Sequence, residues 1–173
     1  GPLLIETIPL FPVKKYDEVI LRNISSDDMK VIISMLDFNT QTIILQSNIQ
    51  LDTDKINHLI IDFPMKEVKL LFGIEIAKLE LLYKLPDLLE LLPANIKHLI
   101  LVDNIDDLVA FVKYSESIEC VDIPPNISPI HRNKIRWFLH ARTIQWPRVI
   151  YEDEDEIEKY RLEGGREDIE FIT

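Results

Sequence analysis

The sequence has one cysteine, four glycines and no long apolar run, and each shortage excludes a class of protein. A single thiol, Cys120, cannot form an internal disulfide and favours a reducing compartment. Four glycines leave no glycine-rich loop of the kind that cradles phosphates. No apolar stretch reaches the roughly 18 residues of a membrane-spanning helix, and no basic start with an apolar core marks a signal peptide. We therefore expect a cytoplasmic protein without a membrane span.

Positive charge is also scarce, because 19 Lys and Arg stand against 30 Asp and Glu and give a net charge of −11. This balance argues against non-specific nucleic-acid binding, which needs clustered cations to release phosphate counterions. The exception is residues 129–150, which hold five bases and no acid, interleaved with Trp137 and Trp146. Residues 131–148 could bind a nucleic acid or an anionic membrane. The favoured interpretation is a capping helix, Arg132 to Ala141, whose cations face the acidic tail that follows.

The sequence does contain a repeated pattern of apolar residues. It is clearest in Ile96, Leu99 and Leu101, followed by Asn104, and it reads apolar-x-x-apolar-x-apolar-x-x-Asn. Six copies begin at residues 16, 40, 56, 76, 96 and 118. The alternating apolar residues at the centre of each copy predict a short strand, and one such strand cannot bury its apolar face alone. The copies are therefore expected to stack into a parallel sheet with a shared core.

The copies are spaced by 24, 16, 20, 20 and 22 residues, and residues 16–127 resemble the leucine-rich-repeat family. The copy led by Leu92-Pro93 is also similar to the repeats of secreted bacterial effectors, and to repeats found in some amoebae and their large viruses. The resemblance implies an α/β solenoid with about six short parallel strands on its concave face, helical or irregular convex arms and a helical C-terminal cap. It also implies a protein-binding platform that normally has no catalysis of its own.

The segments between the copies predict the convex arms. Ser25 to Asp28 is a typical helix start, and Gly73 is expected to end a second arm that begins at Pro64. The arm from Gln50 to Lys55 is too short for more than a turn. An alternative is a generic α/β sheet with short crossovers, although crossovers normally need a dozen residues or more. The predicted divisions are an N-terminal cap or arm (1–15), leucine-rich repeats (16–128), a C-terminal cap (129–150) and an acidic tail (151–173).

The outward-facing positions of the expected strands carry the candidate binding residues. Apolar and aromatic side chains concentrate there in the second to fifth copies, with charged residues at the edges, as in the core and rim of an interface. The alternatives are that β-branched residues simply suit a strand surface, or that the chain covers the patch with its own termini. The predicted partner-binding residues are Ile44, Ile60, Phe63, Glu80, Leu82, Tyr83, Ile100 and Val102.

His58, His98 and Cys120 fall in one predicted column of the sheet and raise the question of metal or nucleophile chemistry. Zinc needs three or four converging ligands, whereas Lys78 stands between the two histidines. A Cys–His nucleophile pair needs a third group to orient it, and the sequence does not indicate one. We therefore predict no catalytic residue, no metal and no cofactor.

The predicted function is a non-catalytic module that binds another protein on the concave sheet. One alternative is the targeting domain of a larger enzyme, such as a secreted effector that works in the host cytosol. The start Gly1-Pro2 is typical of the remnant that a protease leaves, so the natural start is expected to be missing. The other alternative is binding of an anionic ligand, nucleic acid or membrane, through residues 131–148.

Overall fold

The computed structural model describes residues 1–66, 68–83, 95–101, 117, 119–122 and 143–145. Within these ranges, eight strands form one sheet in the order of the sequence, and every neighbouring pair is parallel. The strands are β1 (Leu3–Ile5), β2 (Glu18–Leu21), β3 (Thr42–Leu45), β4 (Lys55–Ile61), β5 (Glu75–Leu81), β6 (Ile96–Leu101), β7 (Cys120–Asp122) and β8 (Thr143–Gln145).

The six predicted repeat strands correspond to β2 to β7, so the prediction of an α/β fold with a parallel sheet is confirmed. Two strands were not predicted. β1 lies in the segment expected to be an N-terminal cap or arm, and β8 lies in the segment expected to be a C-terminal cap. The predicted capping helix, the acidic tail and the basic segment 131–148, apart from β8, lie outside the described residues.

One face of the sheet is buried because alternate side chains of a strand point to opposite sides. The column Val19, Ile43, Leu59, Leu79 and Leu99 runs across five strands in register, and each of these side chains is 0% exposed. Full burial of such an aliphatic side chain stabilises the fold by about 1.5–3 kcal/mol. A second buried column lies two residues further along the strands: Leu21, Leu45, Ile61 and Leu81.

The first return arm contains the helix predicted after Ser25, α1 (Ser26–Ile32), which continues as a 3₁₀ turn over Ile33–Met35. The Ser25 hydroxyl caps the helix by accepting a hydrogen bond of 3.1 Å from the Asp28 amide. Met29 and Ile32 point into the core and are buried. The polar start and the apolar spacing therefore give the helix that they predict.

The later arms are shorter. The second is a 3₁₀ helix, Val68–Leu71, and Gly73 follows it with φ +76°, the left-handed conformation that glycine adopts without strain. The arm after Ile49 has no helix, as its length predicts. A cleft of about 750 Å³ lies beside α1 next to this short arm. Its apolar lining comes from Ile24, Met29, Ile33, Ile49, Leu51 and Phe72.

The second copy begins with a polar residue, and a buried glutamine replaces the missing apolar contact. Thr40 is exposed, whereas the next residue, Gln41, is 1% exposed. Its Nε2 donates to the carbonyl oxygens of Val13 (2.9 Å) and Tyr16 (2.7 Å), and its Oε1 accepts from the Asp37 amide (2.8 Å). A buried amide is tolerated only with such partners, so Gln41 connects two loop segments, around Val13–Tyr16 and Asp37, to the start of β3.

Candidate functional site

The face of the sheet opposite the buried columns, called here the outer face, presents three columns of side chains. The middle column is in register from β1 to β7, and the repeat alignment predicts it for β2 to β7. Leu4 is 41% exposed, and the members from β2 to β7 are half-buried. They all lie on the side of the sheet away from the core. The middle column consists of Leu4, Ile20, Ile44, Ile60, Glu80, Ile100 and Asp122.

Most of the predicted partner-binding residues lie on or next to this column. Ile44, Ile60, Glu80 and Ile100 are members of it, and Leu82 directly follows the end of β5 and is half-buried. The other three are Phe63, Tyr83 and Val102.

Tyr83, the residue after Leu82, is 44% exposed. Phe63 also follows a strand end, but its half-buried ring packs against the buried core, so only part of it is available at the surface. Val102 lies outside the described residues.

A polar ladder borders the middle column at the carboxyl ends of the first four strands. Arg22 is 3.8 Å from the Glu6 carboxylate and donates through Nε to Gln46 Oε1 at 2.8 Å. Gln46 Nε2 in turn donates to Asp62 Oδ2 at 2.8 Å. The backbone ladder also extends through these positions, since the amide of each of Arg22, Gln46 and Asp62 bonds to the preceding strand. The ladder fixes the rim of the outer face.

The other border is the column Glu18, Thr42, His58, Lys78, His98 and Cys120. Two of its members, His58 and Lys78, form the His58 cluster together with Glu80 of the middle column. His58 Nε2 is 3.3 Å from Glu80 Oε2, and its Nδ1 is 3.2 Å from Thr42 Oγ1. The Glu80 carboxylate can only accept a hydrogen bond, so the neutral His58 ring donates one to it from Nε2. The Nδ1 atom then accepts a hydrogen bond from the Thr42 hydroxyl. Burial, helped by the Lys78 charge, lowers the pKa of His58 although Glu80 opposes this shift.

The His98 cluster, defined as His98, Cys120 and Asp122, lies two strands further along. His98 on β6 is in register with Cys120 on β7, and Asp122 is on the same face because it is two residues after Cys120. His98 Nε2 is 3.2 Å from Asp122 Oδ1. One imidazole nitrogen, the Cys120 sulfur and one Asp122 oxygen all lie within 4.8 Å of one another.

Local backbone contacts position this cluster. The Ser117 hydroxyl accepts from the Ile96 amide at 3.0 Å and donates to the Ile96 carbonyl at 2.9 Å. The Glu119 amide donates to the Lys97 carbonyl at 2.8 Å. These contacts fix the start of β7 against β6, so that the register places Cys120 beside His98.

The electrostatics of the His98 cluster do not suit a cysteine nucleophile. Burial, with a smaller effect from the neighbouring Asp122 carboxylate, raises the pKa of the Cys120 thiol. A thiol in this environment is protonated at neutral pH and reacts slowly, whereas catalytic cysteines have lowered pKa values. The arrangement supplies three metal-binding atom types instead: an imidazole nitrogen, a sulfur and a carboxylate oxygen.

Sequence reasoning did not include Asp122 with His98 and Cys120, and grouped His58 with them instead. The structure places His58 two strands from His98, with Lys78 between them, as the predicted column has it. The signal for Asp122 was present, because a residue two positions after Cys120 must share its face of the strand. The polar ladder was also missed, although its members are spaced at the repeat interval.

Comparison of the chain with protein-family models, curated proteins and solved structures gives no match. Among the described residues, none belongs to a helix with the length and apolar character that crossing a membrane requires.

Proposed function

We propose that the chain is a solenoid of the leucine-rich-repeat type, and that it binds another protein on the outer face of its sheet without catalysis of its own. The support for the solenoid is the order of the strands, each of which pairs with its neighbours in sequence. The strand pattern recurs at intervals near those of leucine-rich repeats. In such a solenoid the outer face would be the concave surface, which these proteins use for binding.

The observation that carries the binding proposal is the unbroken apolar run in the middle column. Leu4, Ile20, Ile44 and Ile60 are adjacent across four strands, on the face away from the core. Strands are about 4.8 Å apart, so this stripe is about 14 Å long. The polar ladder borders it on one side, and Glu18, Thr42 and His58 border it on the other. An apolar centre with a polar border is the composition of a protein-binding surface.

The charges around the stripe indicate the chemistry of the partner. The three outer-face columns contain five carboxylates and two permanently cationic side chains among the described residues. We infer a partner segment that combines apolar with basic side chains, because complementary charge speeds association and rejects wrong partners. The carboxylates are Glu6, Glu18, Asp62, Glu80 and Asp122, and the cations are Arg22 and Lys78.

The sheet is wide enough for a partner of this kind. Eight strands at about 4.8 Å place the first and last about 34 Å apart. An extended segment of about ten residues spans that distance at about 3.4 Å per residue. In the alternative, the chain is the targeting domain of a larger enzyme. That domain would use the same surface and bind a partner of the same chemistry.

Selection from a displayed peptide library tests the proposal without a known partner. The full chain is immobilised, enriched peptides are synthesised, and their Kd values are measured for the wild type and for variants. We expect enriched peptides to be apolar and basic, and Ile60→Glu to weaken their binding by more than tenfold, since a charge is introduced into the apolar stripe. Circular dichroism confirms that each variant is folded.

A matched pair of aromatic residues provides the control. Tyr83 lies two residues after the end of β5 and is 44% exposed, whereas Phe72 lines the cleft beside α1 and is 45% exposed. Tyr83→Glu is expected to abolish peptide binding, and Phe72→Glu to leave the Kd unchanged. Binding on the outer face would be contradicted if Tyr83→Glu and Phe72→Glu weakened peptide binding equally. It would also be contradicted if Ile60→Glu left the Kd of the enriched peptides unchanged.

A further inference from the structure

The two clusters of the outer face occupy equivalent positions in the sheet. In each, a histidine on one strand faces a residue on the next strand, and a carboxylate follows two positions later. The histidine-to-carboxylate distances are 3.3 Å for His58–Glu80 and 3.2 Å for His98–Asp122. The clusters differ at the residue in register with the histidine, which is Lys78 in the first and Cys120 in the second.

This difference decides what each cluster can bind. Lys78 supplies a positive charge beside Glu80, so the His58 cluster contains its own cation. In the His98 cluster, the same position holds a sulfur that becomes an anionic ligand when a metal displaces its proton. A dication there would balance one thiolate and one carboxylate. The His58 cluster therefore resembles a completed ion pair, and the His98 cluster a site that lacks its cation.

From this geometry we propose that His98, Cys120 and Asp122 form a binding site for Zn²⁺ on the outer face of the sheet. Nitrogen, sulfur and carboxylate oxygen are the ligands that Zn²⁺ takes in proteins, at about 2.0–2.3 Å. Around a tetrahedral ion, ligand atoms at these lengths are about 3.3–3.7 Å apart. The distance of 3.2 Å between His98 Nε2 and Asp122 Oδ1 is close to that separation. All three ligand atoms lie within 4.8 Å of one another, so only a small inward movement of the side chains would be needed to bind the ion.

The site is accessible. The side chains of His98 and Asp122 are 27% and 31% exposed, and Cys120 is half-buried, so an ion can enter from solvent. Three protein ligands leave the fourth tetrahedral position for water or for a group of a bound molecule. Lys78 is in register with His98 on the neighbouring strand, but it is two strands and about 10 Å from Cys120 in the pairing direction, so its charge lies on the side of His98 away from the two anionic ligands.

Direct titration of the full chain with Zn²⁺ tests the site. The protein is kept reduced, stripped with a chelator and titrated with Zn²⁺ in competition with a fluorescent chelator. One equivalent is expected to bind, and Cys120→Ser is expected to weaken binding at least about a hundredfold, because even residues that only orient a ligand are worth 10–100-fold. Binding of Co²⁺ is expected to give a thiolate-to-metal charge-transfer band. His58→Gln, in the other cluster, is the control and should leave the Zn²⁺ affinity unchanged.

Protection of the thiol gives a second measurement that reports on this site alone, because Cys120 is the only cysteine of the chain. Zn²⁺ is expected to slow alkylation of Cys120 in the wild type, and His98→Gln or Asp122→Asn to remove that protection while the thiol stays in place. Zn²⁺ that binds without protecting the thiol, or with undiminished affinity in Cys120→Ser, is bound elsewhere and would overturn the proposal. So would a wild type that binds no Zn²⁺.

Discussion

The His58 cluster and the His98 cluster lie in the same sheet, on the same face and in equivalent register; both have a histidine and a carboxylate, Glu80 or Asp122, but the residue opposite the histidine differs in charge. Lys78 in the first and Cys120 in the second lie opposite their histidines. Since the repeat supplies identical backbone positions, the local chemistry of each cluster depends on side-chain identity and burial alone. The His58 and Glu80 side chains are 19% and 24% exposed, against 27% and 31% for His98 and Asp122. A repeat thus offers one scaffold on which a closed ion pair and an open site can be compared directly.

Exchanging the differing residues should produce the largest effect. Cys120→Lys gives the second cluster its own cation, and it is expected to lower the Zn²⁺ affinity by more than about a hundredfold. Lys78→Cys removes the cation from the first cluster and is expected to add a second bound equivalent of Zn²⁺. Competitive Zn²⁺ titration checks both variants. Unchanged stoichiometry in Lys78→Cys would show that the backbone positions alone do not create a site.

The next effect is a difference in stability between the two metal-free clusters. His58 has two side-chain partners among the described residues, Thr42 and Glu80, whereas His98 has Asp122. With about 1 kcal/mol for each net hydrogen bond, His58→Ala should lower the free energy of unfolding by about 2 kcal/mol and His98→Ala by about 1 kcal/mol. Urea unfolding in the presence of a chelator measures both. A larger loss in His98→Ala would reverse the ranking of the clusters.

A smaller effect is expected when the pH falls. The pKa of His58 in the folded chain is lowered by burial and by Lys78, so the unfolded chain takes up the proton first. The contribution of the neutral ring to stability is therefore present above the unfolded pKa of about 6.5 and is lost as the pH falls from there through the folded pKa. His58→Gln lacks this contribution. Its melting temperature should vary less than that of the wild type between about pH 7 and pH 5.

The smallest expected effect concerns the metal-free thiol. The Asp122 carboxylate is the second cause, after burial, of the raised pKa of Cys120. Asp122→Asn removes that charge and should speed alkylation of Cys120 at neutral pH by about fivefold or less, since a partly exposed charge pair is worth about 1 kcal/mol. The rate of reaction with iodoacetamide, in chelator, measures this. A slower reaction in Asp122→Asn would contradict the assigned cause.

The sheet could be predicted from the sequence because its register follows from one apolar pattern. Leu59, Leu79 and Leu99 recur at the same position of their copies, and a one-residue slip would turn each of them to the solvent. The helix after Ser25 and the end of the second arm at Gly73 were also predictable, because each depends only on a few neighbouring residues. In contrast, β1 has only three residues, too few to show the apolar repeat from which the other pairings were predicted.

The candidate site was less predictable than the sheet. The columns of the outer face followed from the register, but the His98 cluster depends on a contact between two columns, from His98 on β6 to Asp122 on β7. A search that compares residues only within one column does not find that contact. The partial burial of Phe63 shows a related limit, because the chain turns after β4 and the strand alternation no longer decides which way a side chain points.

The sequential order of the strands has a consequence for how the protein is made. Each described strand finds its partner in the preceding segment of the chain, so no strand must wait for a distant one to be synthesised. During translation, the edge of the growing sheet can act as a template for the next segment that leaves the ribosome. We expect the ribosome-bound chain to acquire protease resistance in steps of about one repeat, rather than in a single late event.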